Sequence, residues 1–174
     1  MEFKLFSNEI EELKALMLNN RWDYHMNKNM REEIIQQRVE EGYYQNDRET
    51  FWLIDNDTTI GIICVEDVND SILSFDLRLD AKYRGKGYGY KALLWLQNYL
   101  FGEKGKIRIE GYTRVDNVNM RKCLTKAGFV KEGYLRNAWE NEDGSITDCI
   151  LYSAIHSDWQ SKITTPINLD ELPF

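Results

Sequence analysis

The sequence predicts a mixed α/β (α+β) domain in which helices pack against a sheet. Three observations lead to this class. Apolar residues recur at helical spacing in the first third of the chain, and they alternate with polar residues in the middle. A strand–helix–strand unit then lies between two hairpin signals. Because a crossover helix joins parallel strands and a hairpin joins antiparallel ones, we expect a mostly antiparallel sheet with one central parallel pair.

Two helices are predicted before residue 50. Ser7 is expected to cap the first, because acidic residues fill the turn that follows it and favour the positive end of a helix dipole. The second helix is expected over residues 30–41 and ends at Gly42. Residues 1–48 are therefore interpreted as a helical region.

Strands and one helix are predicted in the middle of the chain. Two apolar runs flank residues 55–57, which form a hairpin signal. Residues 73–79 then alternate, with apolar side chains at odd positions and polar ones at even positions, as in a half-buried strand. An apolar helix follows over residues 90–101.

The last third predicts a strand, a helix and a hairpin. The strand covers residues 106–111, and either Asp116 or Asn117 can cap the next helix. That helix presents apolar residues at helical spacing and ends at Gly128. Residues 141–144 are a turn signal between two strand-like runs.

Length and charge exclude several classes of protein. The 174 residues fit one domain, and 22 Lys and Arg against 29 Asp and Glu give a net charge of −7, which argues against nucleic-acid binding. No apolar run approaches the ~18 residues of a membrane span. The chain begins without a signal-peptide pattern, so we expect a cytoplasmic location and no membrane partner. Three unpaired cysteines and two separated histidines predict no metal site.

A glycine-rich turn at residues 84–89 is the most informative segment. It joins the alternating strand to a helix, so its backbone N–H groups and two cations are expected to bind a phosphate or pyrophosphate. The spacing does not fit a P-loop. A dinucleotide site, with Glu110 as the ribose partner, stays open as an alternative, although too little chain follows for a doubly wound sheet.

Two motifs resemble those of the GNAT acetyltransferase superfamily. Arg84, Gly87 and Gly89 match its acetyl-CoA motif, and Asn117 stands eleven residues before Gly128-Phe129, as in a second block of that superfamily. The run Gly133–Arg136 and the hairpin after it resemble the ribosomal-protein-alanine N-acetyltransferase branch. The resemblance covers roughly residues 50–160 and implies a parallel strand pair that splays apart, with helices on both faces of the sheet.

The resemblance implies acetyl-CoA as co-substrate. The pantetheine arm would pair with the backbone of the splayed strand, the pyrophosphate would meet the glycine turn, and Asn117 would bond the arm from the opposite side. The residues so assigned are Leu77, Arg78, Leu79, Arg84, Gly85, Lys86, Gly87, Tyr88, Gly89, Asn117 and Asn119. Arg121 and Lys122 either approach the adenosine phosphates or form a solvated helix face.

The same resemblance implies acyl transfer to a primary amine. Asp76 is the leading general base, because it lies on the polar face of the splayed strand and apolar neighbours are expected to raise its pKa. Glu110 and Glu66 are rivals. Many members carry a tyrosine as general acid where this chain has Leu124, so Tyr134 or a water would donate the proton, or the thiolate leaves unassisted.

The acceptor stays open at this stage. Acidic residues in the first third favour a cation such as a polyamine or an aminoglycoside, or a protein N-terminus, but a solvated helix surface explains them equally well. An acyl-CoA-binding module without turnover and a dinucleotide-dependent oxidoreductase are the rival functions. Residues 50–160 are expected to form the acetyl-CoA core of a single domain, residues 1–174. The tail, residues 161–174, either folds over that domain or reaches a second copy in a homodimer.

Overall fold

The computed structural model describes residues 1–168 and contains one seven-stranded sheet with the strand order β1-β2-β3-β4-β5-β7-β6. The strands are β1 (Glu2–Leu5), β2 (Arg48–Asp55), β3 (Thr58–Glu66), β4 (Ile72–Leu79), β5 (Arg108–Arg114), β6 (Val130–Glu140) and β7 (Ile146–Ile155). The helices are α1 (Ile10–Leu18), α2 (Glu32–Glu40), α3 (Tyr88–Gln97), α4 (Val118–Lys126) and α5 (His156–Ser161). A 3-10 turn (Ala81–Tyr83) precedes α3, and a π-helical segment (Asn98–Glu103) follows it.

The sheet is antiparallel except for one central pair, which confirms the predicted fold class. Strands β4 and β5 run parallel and are joined through α3. Their pairing covers three positions and ends where Ser74 lies opposite Glu110. Beyond that point β4 stays paired with β3 as far as Leu79, and β5 stays paired with β7 as far as Arg114. The two central strands therefore splay apart, as the resemblance implied.

Helices cover both faces of the sheet. The larger core lies on one face, where α3 and α4 supply buried residues such as Leu93, Leu96 and Leu124. On the other face α1 and α2 pack over Trp52 and Ile62. In β4 the apolar odd positions pack against the first core, whereas Asp76 and Arg78 line a cavity with Met17 and Ile62 of the second core. This alternation places the polar side chains of β4 on the α1–α2 side.

The first third differs from its sequence prediction in two respects. It is not wholly helical, because β1 pairs with β2 at the edge of the sheet. Ser7 does not cap α1 with its side chain; instead the Glu9 carboxylate accepts hydrogen bonds from the Ser7 N–H at 2.8 Å and from its hydroxyl at 2.9 Å. A carboxylate can accept both donors at once, and it lies at the favourable end of the helix dipole.

Other boundaries move by a few residues. Helix α3 begins at Tyr88, two residues earlier than expected, because Gly87 caps it in a left-handed conformation with φ of +86°. Strand β5 extends to Arg114 and β6 begins at Val130. Asn117 does cap α4, accepting from the Met120 N–H at 3.2 Å. The prediction for the tail rests partly on residues 169–174, which lie outside the described residues.

Gly61 sets how closely β3 approaches β4, and its replacement provides a test of this packing. A Cβ at this position would lie 2.3 Å from the Arg78 carbonyl oxygen. We expect Gly61→Ala to lower the free energy of unfolding by about 1–3 kcal/mol, as overpacking does. Gly133→Ala is the matched control, since its Cβ would meet Leu151 at an ordinary 3.5 Å. Urea denaturation midpoints measure both, and equal stabilities of the two variants would contradict the close packing.

Candidate active site

The splay between β4 and β5 is the central feature of the candidate site. From Phe75 to Leu79 on one side and from Gly111 to Arg114 on the other, the described residues form no ladder between the two strands. Each strand keeps its outer neighbour, so the inner backbone edges face the gap between them. Backbone donors and acceptors without a strand partner are suited to an extended ligand that carries amide groups.

The glycine turn lies at the end of β4 and opens into α3. Gly85 and Gly87 have φ of +73° and +86°, and a Cβ on either would meet no atom within 4 Å. Gly89 differs, because its Cβ would lie 3.3 Å from the Cys123 sulfur, so its role is close packing of α3 on α4. The left-handed turn is therefore open toward solvent beside the first N–H groups of a helix, an arrangement suited to an anion.

Two side chains of this turn, Arg84 and Tyr88, are held by hydrogen bonds to the described part of the protein, whereas Lys86 is not. Arg84 donates from Nε to the Leu79 carbonyl at 2.8 Å and from Nη2 to the Arg21 carbonyl at 3.1 Å. Tyr88 donates its hydroxyl to Asp55 at 2.7 Å. Lys86 is exposed, forms no ion pair within residues 1–168, and is thus the cation of the turn that can reach a phosphate.

Helix α4 presents polar groups to the other side of the gap. The Asn117 side-chain oxygen is used in the cap, while its amide nitrogen has no hydrogen-bond partner in the described part of the chain. Asn119 is exposed in the first turn. Arg121 donates to the Val115 carbonyl at 2.8 Å, and Lys122 is exposed. Asn117 therefore retains one free donor for a ligand carbonyl.

Asp76 lies just beyond the last paired position and is held by two basic side chains. Arg78 Nε donates to one carboxylate oxygen at 2.8 Å, and His25 Nδ1 lies 3.4 Å from the other. Burial acts to raise the pKa of Asp76, but the charge and the hydrogen bond of Arg78 outweigh it and lower that pKa below its ordinary value. The expected rise in the pKa of Asp76 is therefore wrong, because the sequence did not show this ion pair.

His25 lies beside Asp76 but is not among the site residues assigned from the sequence. Burial is the main cause that lowers its pKa to about 4, with help from Arg78 and Arg84 and against the attraction of Asp76. Its imidazole is therefore neutral at pH 7. The only signal in the sequence was its place after Trp22, whose ring packs against it edge-on at 5.9 Å.

The other predicted acid–base residues have partners away from the open gap. Glu110 lies opposite Ser74 at the closed end of the splay and accepts from Arg108 at 2.7 Å and from Tyr112 at 2.6 Å. Burial would raise the pKa of Glu110, but these hydrogen bonds lower it. Glu66 accepts from Ser74 at 3.2 Å and from Arg48 at 3.3 Å, also at the closed end.

Tyr134 stands apart from the gap as well. It lies on β6 opposite Ile150, is 60% exposed, and donates its hydroxyl to Asp148. Of the predicted acid–base residues, Asp76 is thus the one that stands on the unpaired part of a central strand.

The loop between α1 and α2 crosses the open end of the splay. Its Arg21 carbonyl accepts from Arg84 on the β4 side, and its Asp23 carbonyl accepts from Arg114 on the β5 side at 3.4 Å. Trp22 is 2% exposed, and the guanidinium carbons of Arg78 and Arg84 lie 5.3 and 5.0 Å from its ring centroid. Trp22 is therefore a structural anchor of this loop, which places His25 beside Asp76.

Comparison with known proteins agrees with this geometry. Residues 5–130 match the acetyltransferase (GNAT) domain family. The chain belongs to the GNAT acetyltransferases. No curated protein matches at a significant level.

Solved structures confirm the GNAT fold. A chimera of the spermidine N-acetyltransferase SpeG from Vibrio cholerae with hSSAT superimposes with a TM-score of 0.78 at 14% identity, covering 92% of this chain and 99% of that one. The spermidine N-acetyltransferase from Vibrio cholerae in complex with CoA and spermine gives 0.78 at 16% identity, covering 91% and 97%. At these identities the likeness concerns the fold.

Membership in the GNAT family identifies the acyl donor but not the branch of the family to which the chain belongs. The chain is an N-acetyltransferase that uses acetyl-CoA. The ribosomal-protein-alanine branch stays a prediction. Within residues 1–168 no group of three or more His, Cys, Asp or Glu side chains could hold a metal ion, and no helix is long and apolar enough to cross a membrane.

Gly87 gives a direct test of the glycine turn as the phosphate site. Gly87→Asp would place a carboxylate in open space beside the first N–H groups of α3. We expect acetyl-CoA binding to weaken by at least about tenfold, because the new charge repels the pyrophosphate. Isothermal titration calorimetry with acetyl-CoA measures the change.

Gly128→Asp is the matched control for this test. Gly128 has φ of +85°, its Cβ would also meet nothing within 4 Å, and it lies at the far end of α4. The two variants therefore share the same backbone strain. Equal acetyl-CoA affinities in the two folded variants would show that Gly87 is only a turn residue.

Proposed function

We propose that this GNAT enzyme transfers the acetyl group of acetyl-CoA to a primary amine held beside Asp76. The observation that carries the proposal is the position of Asp76, directly beyond the point where β4 and β5 part. An extended ligand in the gap would bring its reactive end close to this carboxylate. Holding both reactants there makes the reaction effectively intramolecular.

The chain's own groups fit acetyl-CoA along the whole gap. Of the three strand residues assigned to the pantetheine arm, Leu77 and Leu79 would pair with its amides. The Arg78 carbonyl oxygen lies against Gly61 on β3, and Leu79 has its N–H available because Arg84 binds its carbonyl. The free amide nitrogen of Asn117 would donate to a carbonyl from the opposite side. The backbone from Arg84 to Gly89 and the Lys86 ammonium would hold the pyrophosphate. The open space beside Gly85 and Gly87 supports this assignment, since a side chain there would fill it.

Acetyl-CoA supplies an acetyl group activated as a thioester. We assign a backbone N–H of the splayed strand, that of Leu77 next to Asp76, to polarising its carbonyl oxygen, where negative charge develops. The ionised Asp76 attracts the acceptor ammonium into position. Once the amine has lost a proton toward Asp76, His25 or water, it can attack. Asp76 has a lowered pKa and is thus a stronger electrostatic anchor than proton acceptor.

We assign no side chain of the protein as the general acid that protonates the leaving CoA thiolate. Leu124 occupies the position where many family members have tyrosine, and it is fully buried in the core. Tyr134 would have to give up its bond to Asp148 to serve as donor. We therefore propose that the CoA thiolate leaves unassisted or takes a proton from water.

The acceptor amine is a separate question. The similar Vibrio cholerae enzymes are named for spermidine, and the branch resemblance favours a protein N-terminus. The acidic residues that suggested a cation do not gather at the gap. Glu32 pairs with Lys14 at 3.0 Å, and Glu49 accepts from Tyr99 and Lys104. They support a polyamine no better than any other primary amine.

Turnover separates this proposal from an acyl-CoA-binding module. Release of CoA thiol, followed with a thiol reagent over a panel of primary amines, is expected for at least one amine. Tight binding of acetyl-CoA without thiol release for any amine would favour the binding module.

Asp76→Asn tests the role of the carboxylate. Asparagine keeps an oxygen for the Arg78 hydrogen bond but removes the charge, so we expect kcat/KM for the amine to fall. A higher KM for the amine reports the lost electrostatic anchor, whereas a fall in kcat of about 10²–10⁴-fold reports a lost proton acceptor. Acetyl-CoA affinity should stay unchanged, because the pyrophosphate site is separate. Asp148→Asn is the control, since Asp148 bonds Tyr134 away from the gap. If kcat and the KM for the amine are both unchanged in the Asp76 variant, Asp76 is structural and the same test passes to Glu110.

The pH dependence follows from the pKa directions. The pKa of Asp76 is lowered and that of His25 is about 4, so neither group changes charge from about pH 6 upward. Between there and the pKa of the acceptor, kcat/KM should rise with pH because more of the amine is neutral. The midpoint of this limb should move with the pKa of the amine. A midpoint that is the same for two amines of different pKa would point to a titrating enzyme group.

A further inference from the structure

Resting on the proposed acetyl transfer, we infer that the acceptor carries a carboxylate close to its amine, as a free amino acid does. The site for this carboxylate is the mouth of a small cavity on the α1–α2 side of the sheet, which we call the arginine cavity. Its polar lining consists of Arg38, Tyr43, Tyr44, Asp76 and Arg78.

Two buried donors in the arginine cavity have no acceptor within the described residues. The Tyr44 hydroxyl and the Arg78 Nη1 are both shielded from solvent, and neither finds an acceptor within the described residues; the polar neighbour of the hydroxyl is the Arg38 guanidinium, which can only donate to it. Tyr44 is 4% exposed. A buried donor without an acceptor is costly, and such groups are rare in folded proteins. Two of them in one cavity indicate a ligand that accepts hydrogen bonds.

Arg38 adds a positive charge at the entrance. It has no carboxylate within 4 Å among residues 1–168, and its guanidinium carbon lies 4.8 Å from the Tyr43 ring centroid. Arg38 and Tyr43 are both partly exposed, whereas Tyr44 is buried behind them. An incoming group therefore meets Arg38 first and the buried donors after it.

The charge balance of the cavity favours an anion. Arg38 and Arg78 face one carboxylate, Asp76, which Arg78 Nε and His25 already hold. Cys64 also lines the cavity, but burial raises the pKa of its thiol to about 12, so it contributes no charge. A second ammonium group of a polyamine would meet arginine here, whereas a carboxylate would find guanidinium and hydroxyl donors.

The size and place of the cavity fix how far the carboxylate lies from the amine. The enclosed part measures about 10 Å³, enough for one water-sized group, so only the end of a short substituent enters. The cavity lies over β3 and β4, where Cys64 stands opposite Asp76. Because Asp76 lines the cavity and also holds the acceptor amine, the carboxylate of the acceptor must lie close to that amine.

A matched acceptor series tests this inference by CoA-thiol release. The series contains 4-aminobutyrate, its amide, butylamine, spermidine, and a pair of short peptides that begin with Asp or Asn. We expect kcat/KM for 4-aminobutyrate to exceed that for its amide by about tenfold or more, as for a hydrogen-bonded charge. A preference for the Asp peptide over the Asn peptide supports carboxylate recognition and identifies an acidic N-terminal residue as its source.

Variants of two cavity residues test whether the arginine cavity binds the carboxylate of the acceptor. In Arg38→Gln and in Tyr44→Phe, the ratio of kcat/KM for 4-aminobutyrate to that for its amide should fall toward one. Arg31→Gln, an exposed position directly before α2, is the control and should keep the ratio. Tyr44→Phe removes one oxygen and conserves the ring. It therefore tests the cavity independently if Arg38→Gln does not fold.

The outcomes distinguish the two proposals. Turnover with amines but no advantage for the carboxylate, or a preference for spermidine, would overturn this inference and leave acetyl transfer standing. A ratio that survives in both cavity variants would also overturn it. Bound acetyl-CoA without thiol release for any acceptor would overturn the proposed function, and this inference with it.

Discussion

The early end of the β4–β5 ladder is the constraint on which the rest of the site depends. Phe75 and Leu124 pack against Gly111 on the face of the sheet that α4 covers. A Cβ on Gly111 would lie 3.3 Å from Phe75 and 3.2 Å from Leu124. These two side chains fill the space on that face where β4 and β5 separate. Gly61 keeps β4 close to β3, and Arg84 bonds the Leu79 carbonyl. The gap is thus built by packing on both sides, and its backbone edges remain for a ligand that supplies the missing hydrogen bonds.

Electrostatics then assigns different tasks to the two ends of the gap. At the glycine turn the helix N-terminus and Lys86 favour an anion. At Asp76 the carboxylate is ionised, and a neutral His25 lies beside it, so an ammonium is attracted there. The positive charge of Arg78 lowers the pKa of Asp76 and also limits its attraction for a cation. An acceptor with charges of both signs satisfies Asp76 and the arginines together.

Local signals in the sequence predicted local structure well. The glycine turn, the Asn117 cap and the alternation in β4 each depend on a pattern of a few neighbouring residues, and the structure confirms them. Strand β1 was missed because its four residues are mostly exposed and carry no alternating pattern. The Asp76 ion pair and the arginine cavity were missed for another reason. His25, Arg38 and Tyr44 reach β4 only through the packing of α1, α2 and the segments that follow them, which no spacing along the chain reveals.

The fold and the acceptor are therefore determined by different parts of the molecule. The proposed donor site consists of β4, β5 and the N-termini of α3 and α4, whose backbone belongs to the fold that solved structures share with this chain at 14–18% identity. The acceptor side is built from side chains of α2, the α1–α2 loop and Tyr43–Tyr44. Substitutions there change charge and shape without disturbing the sheet, so one fold can serve many amines. The TM-score of 0.78 with a spermidine N-acetyltransferase therefore describes the shared fold and does not identify the acceptor of this chain.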